Sequence, residues 1–329
     1  MKFATNIENK LIEKAKLSGK TIVLPEAYFS ERILKAGITC AKAGVCKVVL
    51  LTDNDNAFSN FFLEQFKTIK VINFLTDNMA DMLASALYMR RKHKGLTEEE
   101  AKKLVRDPIY FGTMMVELGL ADGLVAGAEV STSTTFKPAL QIIKGVTPTT
   151  RISTFFIMAK KEDDKESIYV LSDCGMNINP TAYDIADFAV QSAKSAKEIA
   201  EIEPKVALLC YSTKGSGDGD CVDKMKKAYE LLKELKLDFD FDGEMQLDAA
   251  VSYEVAKTKC PNSKVAGEAN VLIFPDLQSG NIGYKLMQRF GGYSAIGPIA
   301  QGMAKPINDV SRGASVEEIV LTIAITCLQ

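Results

Sequence analysis

Short apolar runs recur along this chain, and most are followed by a longer stretch with helical spacing. Thr21-Ile22-Val23-Leu24-Pro25 reads as a buried strand, and Glu31 to Ala43 repeats its apolar positions at helical intervals. Val48-Val49-Leu50-Leu51 is the next strand, with a polar loop from Asp53 to Asn56. Further strands fall at Gly123–Gly127, Ile168–Leu171, Val206–Leu209, Val271–Phe274 and Ala295-Ile296. Helical patterns lie at Ala182–Ile202, Cys221–Leu235, Gln278–Phe290 and Val316–Cys327. Strands that are apolar at successive positions are buried on both faces, and the intervening helices supply the crossovers of parallel pairing. The pattern therefore predicts the α/β class, with mostly parallel, doubly covered sheets.

The chain has 329 residues, enough for two domains of ordinary size. Gly and Pro mark two seams, near Gly145-Val146-Thr147-Pro148 and near Gly297-Pro298. There is no internal repeat and no low-complexity segment. A formal net charge of −2 argues against nucleic acid as the main partner, so an anionic substrate needs a local basic site. The seven cysteines show no metal-ligand spacing, and their odd number fits reduced thiols in a cytoplasmic protein. The segment from Met1 to Asn6 lacks the apolar run of a signal peptide, and no stretch approaches the ~20 apolar residues of a membrane span.

The densest chemistry lies in Gly297-Pro298-Ile299-Ala300-Gln301-Gly302-Met303-Ala304-Lys305-Pro306-Ile307-Asn308-Asp309-Val310-Ser311-Arg312-Gly313. A hydroxyl, a guanidinium and a flexible glycine stand side by side just before a helix. The free N–H groups and positive dipole end of that helix suit an anion, and Arg312 adds a fork that matches phosphate oxygens. A solvated polar turn is the plain alternative. Ser315-Val316-Glu317-Glu318 has the capping-box pattern, with Ser315 at the N-cap and Glu318 at N3. Arg90-Arg91-Lys92-His93-Lys94 reads as a solvated helix face, and His93 as solvent-facing. Arg289 ends a helical pattern, where a cation favours the dipole. The loop from Gly215 to Asp220 lacks the spacing of a dinucleotide fingerprint, and no Walker A loop is present, so a flexible loop is the plain reading.

Six segments, in order, carry a resemblance over nearly the whole chain. Arg91-Lys92-His93-Lys94-Gly95, Pro138-Ala139-Leu140-Gln141-Ile142-Ile143-Lys144, Ser212-Thr213-Lys214-Gly215-Ser216, Asp242-Gly243-Glu244, Gly280-Asn281-Ile282-Gly283-Tyr284-Lys285 and Asn308-Asp309-Val310-Ser311-Arg312-Gly313 resemble the motifs of the phosphate acetyltransferases (phosphotransacetylases). The resemblance implies an isocitrate/isopropylmalate dehydrogenase-like fold. Residues 1–147 with 299–329 would form one α/β domain and residues 148–298 another, with an active-site cleft between them, in a homodimer. It implies reversible transfer of acetyl between coenzyme A and phosphate, with coenzyme A or acetyl-CoA and acetyl phosphate as substrates and with no tightly bound cofactor or metal. Ser311 would interact with the transferring group, Arg312 would stabilise the charged transition state, and Glu318 would take the thiol proton. Should Glu318 not be the base, Asp309 is the nearest other candidate in sequence. Arg91, Lys137 and Arg289 would bind substrate, with Ser131 and Thr132 as phosphate donors.

Three departures bear on those roles. Glu318 stands where the family has aspartate, one methylene shorter. Lys137 replaces an arginine, so a point charge replaces a planar fork. Glu129-Val130-Ser131-Thr132 replaces A-H-S-T, which brings an acid close to an anion site. A phosphate butyryltransferase is the nearest rival. A metal- and NAD-dependent decarboxylating dehydrogenase shares the fold but needs clustered aspartates and a nucleotide loop, and a non-catalytic acyl-CoA or acyl-phosphate binder is a third reading.

Overall fold

The computed structural model describes residues 3–58, 66–147 and 150–329, and its chain separates into two compact units. Met1, Lys2 and Pro148, used above for the chain start and the first seam, lie outside the described residues. Unit 1 comprises Met1–Ala4, Glu8–Pro148 and Met303–Gln329, and unit 2 comprises Thr5–Ile7 and Thr149–Gly302.

Elements are numbered along the whole chain. The first part runs α1 (Asn6–Ser18), β1 (Thr21–Leu24), α2 (Glu31–Lys42), β2 (Lys47–Thr52), β3 (Ile69–Asn73), α3 (Met79–Arg91), a 3-10 turn (Lys92–Lys94), α4 (Glu98–Val105), α5 (Pro108–Glu117), β4 (Gly123–Ala126) and α6 (Thr132–Ile142). It is followed by β5 (Ser153–Glu162), β6 (Lys165–Ser172), α7 (Ala182–Glu198), β7 (Lys205–Leu209), α8 (Asp220–Lys233), β8 (Asp240–Met245), α9 (Leu247–Val251) and α10 (Tyr253–Lys259). The last part runs β9 (Val271–Ile273), α11 (Leu277–Arg289), β10 (Ser294–Gln301), β11 (Ile307–Asp309) and α12 (Val316–Thr326).

The sheet of unit 1 has the order β11-β4-β1-β2-β3, and every pairing is parallel. Its inner strands read Thr-Ile-Val-Leu and Gly-Leu-Val-Ala because helices cover both faces; Ile22, Leu24, Leu124 and Val125 are fully buried. The helices start where polar side chains take up orphan N–H groups. Thr97 and Glu100 close a capping box on α4, Asp107 caps α5 ahead of Pro108, and Ser131 caps α6. Pro138 sits inside α6, where it removes one ladder hydrogen bond.

The sheet of unit 2 has the order β10-β5-β6-β9-β7-β8. The pairs β6–β9, β9–β7 and β7–β8 are parallel, whereas β10–β5 and β5–β6 are antiparallel. The α/β reading with mostly parallel sheets therefore holds, and the antiparallel portion is the addition. Strands β5 and β6 turn through Asp163-Asp164, with Asp163 at φ 52°, the left-handed conformation that a tight hairpin requires. Strand β8 is polar in sequence, yet Asp242 and Glu244 are buried. Glu244 Oε1 accepts from Ser212 Oγ at 2.9 Å and from the Gly215 N–H at 2.7 Å, and Asp242 pairs with Lys214. The glycine loop after β7 is thus pinned to β8, which corrects its reading as a plain flexible loop. Phe156 and Tyr284 stack at 4.0 Å within the same core.

At the end of β4 the backbone of Gly127 adopts φ +102°, and a Cβ there would lie 2.0 Å from Asp309 Oδ1 and 2.8 Å from the Val310 carbonyl. Gly127→Ala combines a disfavoured φ with a collision against a buried carboxyl, so it should cost about 2 kcal/mol or more in a urea titration. An unchanged midpoint would show that β4 and β11 can separate here at little cost.

Candidate functional site

In unit 1 the chain steps outward from β1 to β2 and β3, then returns to β4 on the other side of β1. The order of strands reverses between β1 and β4, and in open parallel sheets ligands bind beyond the carboxyl ends of the strands at such a point. The segments leaving β1, β4 and β11 carry the polar groups there.

The first is Glu26, just after β1 and fully buried. Its carboxylate accepts from the N–H groups of Ala128 at 2.9 Å, Glu129 at 3.0 Å and Val130 at 2.9 Å. A buried charge needs this saturation, and the three bonds fix the path of the β4–α6 segment. The second is Arg32, in the first turn of α2. Its Nη1 donates to the Arg312 carbonyl at 2.9 Å and the Ala314 carbonyl at 2.8 Å, and its Nη2 donates to the Ala128 carbonyl at 2.7 Å and Glu129 Oε1 at 3.0 Å. One guanidinium thus ties the β11–α12 loop to the β4–α6 loop. Glu129 also accepts from Ser30 Oγ at 2.9 Å, and its pKa is lowered by the hydrogen bonds from Arg32 and Ser30. The acid that sequence placed near an anion site is therefore neutralised by its own partners.

Ser311 and Arg312 are exposed in the loop between β11 and α12. Ser311 Oγ accepts from the Gly313 N–H at 3.3 Å, which leaves its O–H available as a donor. Beneath them, Asp309 is buried at 2 % exposure. Its Oδ2 accepts from Thr132 Oγ1 at 2.6 Å, while Oδ1 has no hydrogen-bond partner. Burial pushes its pKa up to about 6; the hydrogen bond from Thr132 acts downward, as does the charge of Arg312, and Glu26 adds to the rise. Thr135 also acts downward, but its buried hydroxyl has no hydrogen-bond partner, so Thr132 is the one hydroxyl that donates to this carboxyl. Unit 1 thus brings together Ser131, Thr132, Ser311 and Arg312, all named from sequence, around Glu26 and Arg32, which were not, and Asp309, named only as a neighbouring carboxylate.

The other candidates sit differently. Ser315 and Glu318 close the capping box, with the Ser315 N–H donating to Glu318 Oε2 at 2.7 Å and the Glu318 N–H donating to Ser315 Oγ at 3.2 Å. Arg91 lies at the end of α3, and its Nη1 donates to the Gln141 carbonyl at 2.8 Å. That is the C-terminal end of α6, about 14 Å along the axis from Thr132. Lys137 is exposed on α6, four residues after Ser133 and four before Gln141, on one stripe of the helix. Arg289 is the last residue of α11, exposed, in unit 2. His93 is exposed in the 3-10 turn. Among the described residues, no three His, Cys, Asp or Glu side chains are grouped to hold a metal ion, and no helix is long and apolar enough to cross a membrane.

Residues 6–327 match the family model described as phosphate acetyl/butaryl transferase. The chain belongs to this family. It is 46% identical over 326 residues to the phosphate acetyltransferase of Thermoanaerobacterium thermosaccharolyticum, covering 98% of this chain and 99% of that one. Among solved structures it is similar to a phosphotransacetylase from Streptococcus pyogenes, at 42% identity and a TM-score of 0.91, covering 98% of this chain and 97% of the other. The fold alone extends to 4-hydroxythreonine-4-phosphate dehydrogenase from Klebsiella pneumoniae, at 10% identity and a TM-score of 0.51, covering 94% of this chain and 100% of that one. The dehydrogenase-like architecture expected of a phosphate acetyl/butaryl transferase is therefore the one present.

The raised Asp309 pKa has a measurable sign. The folded chain holds this proton more tightly than the unfolded chain, so the stability linked to Asp309 is fully present below about pH 4 and lost as pH rises through about 6. Relative to Asp309→Asn, the wild type should lose about 3 kcal/mol between these limits, read from chemical unfolding at each pH. A difference that stays constant with pH would place Asp309 among ordinary carboxylates.

Proposed function

We propose that this chain catalyses reversible acetyl transfer between coenzyme A and phosphate, interconverting acetyl-CoA plus phosphate with coenzyme A plus acetyl phosphate. The observation that carries the reading is the Ser311-Arg312 loop, its backbone held by Arg32 with both side chains exposed, in a chain that matches phosphate acetyltransferases along nearly its full length. The reading also takes the protein as a cytoplasmic homodimer in which coenzyme A is a substrate and not a resident cofactor.

Glu318 accepts the thiol proton of coenzyme A. The thiolate sulfur attacks the acetyl carbonyl carbon of acetyl phosphate, forming a C–S bond and an oxyanion. Collapse of the oxyanion breaks the C–O bond to phosphate, which leaves with the bonding pair. Arg312 stabilises the charge that develops on the oxyanion and phosphate, and Ser311 donates a hydrogen bond to the transferring or leaving group. Arg91, Lys137 and Arg289 supply positive charge for substrate, and Ser131 and Thr132 offer hydroxyls and the N-terminus of α6 to a phosphate. Butyryl transfer is the alternative within the family. Acetyl phosphate and butyryl phosphate compared with coenzyme A, followed by thioester absorbance, separate the two, and absence of thioester from both removes the reading.

Arg312→Ala should lower kcat by about 10²–10³, the usual cost of removing a preorganised donor at developing charge. A kcat close to wild type would assign the oxyanion to another group. Glu318→Gln should leave the melting temperature unchanged, because glutamine also closes a capping box, and should lower the rate by ~10²–10⁴. A wild-type rate from pH 6 to 9 would leave Glu318 as a helix cap alone.

A further inference from the structure

The start of α6 presents one hydroxyl whose hydrogen-bond direction is decided by a buried group. Thr132 is the first residue of α6 and is exposed, and its Oγ1 lies 2.6 Å from Asp309 Oδ2. A threonine hydroxyl has a single proton to donate. An ionised Asp309 only accepts, so it takes that proton and leaves Thr132 with lone pairs toward solvent. A protonated Asp309 has an O–H of its own to give to Thr132 Oγ1, and the Thr132 proton is then free to turn outward. The neighbouring Ser131 Oγ accepts from the Thr134 N–H at 3.2 Å and shares hydrogen bonds with Ser133 Oγ and Thr134 Oγ1, so its direction is set within the cap and not by Asp309.

We propose that Asp309 is a positioning residue that sets the direction of the Thr132 hydroxyl, so that Thr132 donates to a substrate phosphate only while Asp309 carries a proton. The proposal rests on reading the N-terminus of α6 as the phosphate subsite. Phosphate binding then takes up one proton from solvent, held on Asp309 Oδ2, and no other bond is made or broken. The charged groups acting on Asp309 are Glu26, from the segment after β1, and Arg312, from the loop after β11. Gly127, the residue just after β4, faces it, as do Thr132 and Thr135 of α6, none of them charged. Gly127 comes within contact of Oδ1 and supplies no donor, so the carboxyl has one hydrogen bond for two buried oxygens. That poor solvation lets a proton be held near neutral pH, and a nearby phosphate, a like charge, strengthens the preference.

The test is calorimetric binding of inorganic phosphate to the full chain at pH 5.5 and 7.5. Asp309→Asn keeps the shape, is neutral and does not titrate, so the ratio of wild-type to variant Kd cancels the titration of phosphate itself. With a proton affinity near pH 6, the ratio should stay within about twofold at pH 5.5 and reach about thirtyfold at pH 7.5 in the limit where only the protonated form binds. Thr132→Val should bind weakly at both pH values and lose the excess pH dependence, and Thr132→Ser should restore it, which keeps the test intact if the Asp309 variant does not fold. A ratio that is the same at both pH values overturns the proposal, as does wild type that binds no phosphate at either pH. Because the readout is binding, a chain without acetyl transfer would remove the proposed function and leave this result to be judged separately.

Discussion

A carboxylate taken wholly out of water organises the polar end of unit 1. Glu26 is held there by three backbone N–H groups, from Ala128, Glu129 and Val130. Each of those amides would itself be costly to bury unpaired, so acid and loop are mutually required. The consequence reaches the chemistry. The concave run of amides between β4 and α6 is occupied by the protein's own carboxylate, which leaves the N-terminus of α6 and the guanidinium of Arg312 as the groups proposed for a substrate anion. Arg32 then joins this loop to the one carrying Ser311 and Arg312 through three carbonyls and Glu129. A guanidinium suits this task because its fork presents several donors in a fixed plane, which a lysine could not do.

Apolar periodicity made the frame of the fold legible. Strands β1, β2, β4, β7 and β9 are buried on both faces and read as unbroken apolar runs, and α2, α7, α8, α11 and α12 carry the spacing of helices packed on a sheet. Strands β8 and β11 did not stand out, because their own residues are largely polar. Asp-Phe-Asp-Gly-Glu-Met forms a strand only when Lys214, Ser212 and the Gly215 amide are present to satisfy its acids. Ile-Asn-Asp forms one because Asn308 donates to Thr326 Oγ1 at 2.9 Å and Asp309 accepts from Thr132. The hairpin β5–β6 escaped for another reason: its turn, Asp163-Asp164, carries no glycine or asparagine to announce it.

The candidate site was legible where neighbours in sequence supply its polar groups, and silent where the contact is distant. Ser311 beside Arg312 before a helix start is a local pattern. Arg32 acts on Arg312 across 280 positions, and Glu26 acts on Val130 across 104, so no spacing rule could have shown either. The only local hint was position, since polar residues just past the end of a buried parallel strand lie on the edge where ligands bind. The departures from the family pattern also look different in three dimensions. Glu129 faces Arg32 and Ser30, so its charge is answered within the loop. Lys137 shares a stripe of α6 with Ser133 and Gln141, which leaves its ammonium in solvent, where a flexible point charge loses little by replacing a fork.

Two buried acids beside the proposed anion site present a physical difficulty, and hydrogen-bond supply decides how each resolves it. Glu26 has three amide donors, and those amides cannot be withdrawn without unmaking the loop. Asp309 has one hydroxyl donor, Thr132, and an oxygen against a glycine. Between them they set a graded environment: one carboxylate saturated with amide donors that shapes the backbone, and one carboxyl whose burial is only partly compensated. Arg312 acts on the second and is itself exposed, so an incoming phosphate and Asp309 compete for the same positive charge. Drawing Arg312 toward substrate weakens the one cation that favours an ionised Asp309, and the proton uptake that follows removes the like charge nearest the phosphate. On the proposed reading, anion binding is coupled to neutralisation of the protein's own acid through residues that are far apart in sequence and adjacent at the ends of three parallel strands.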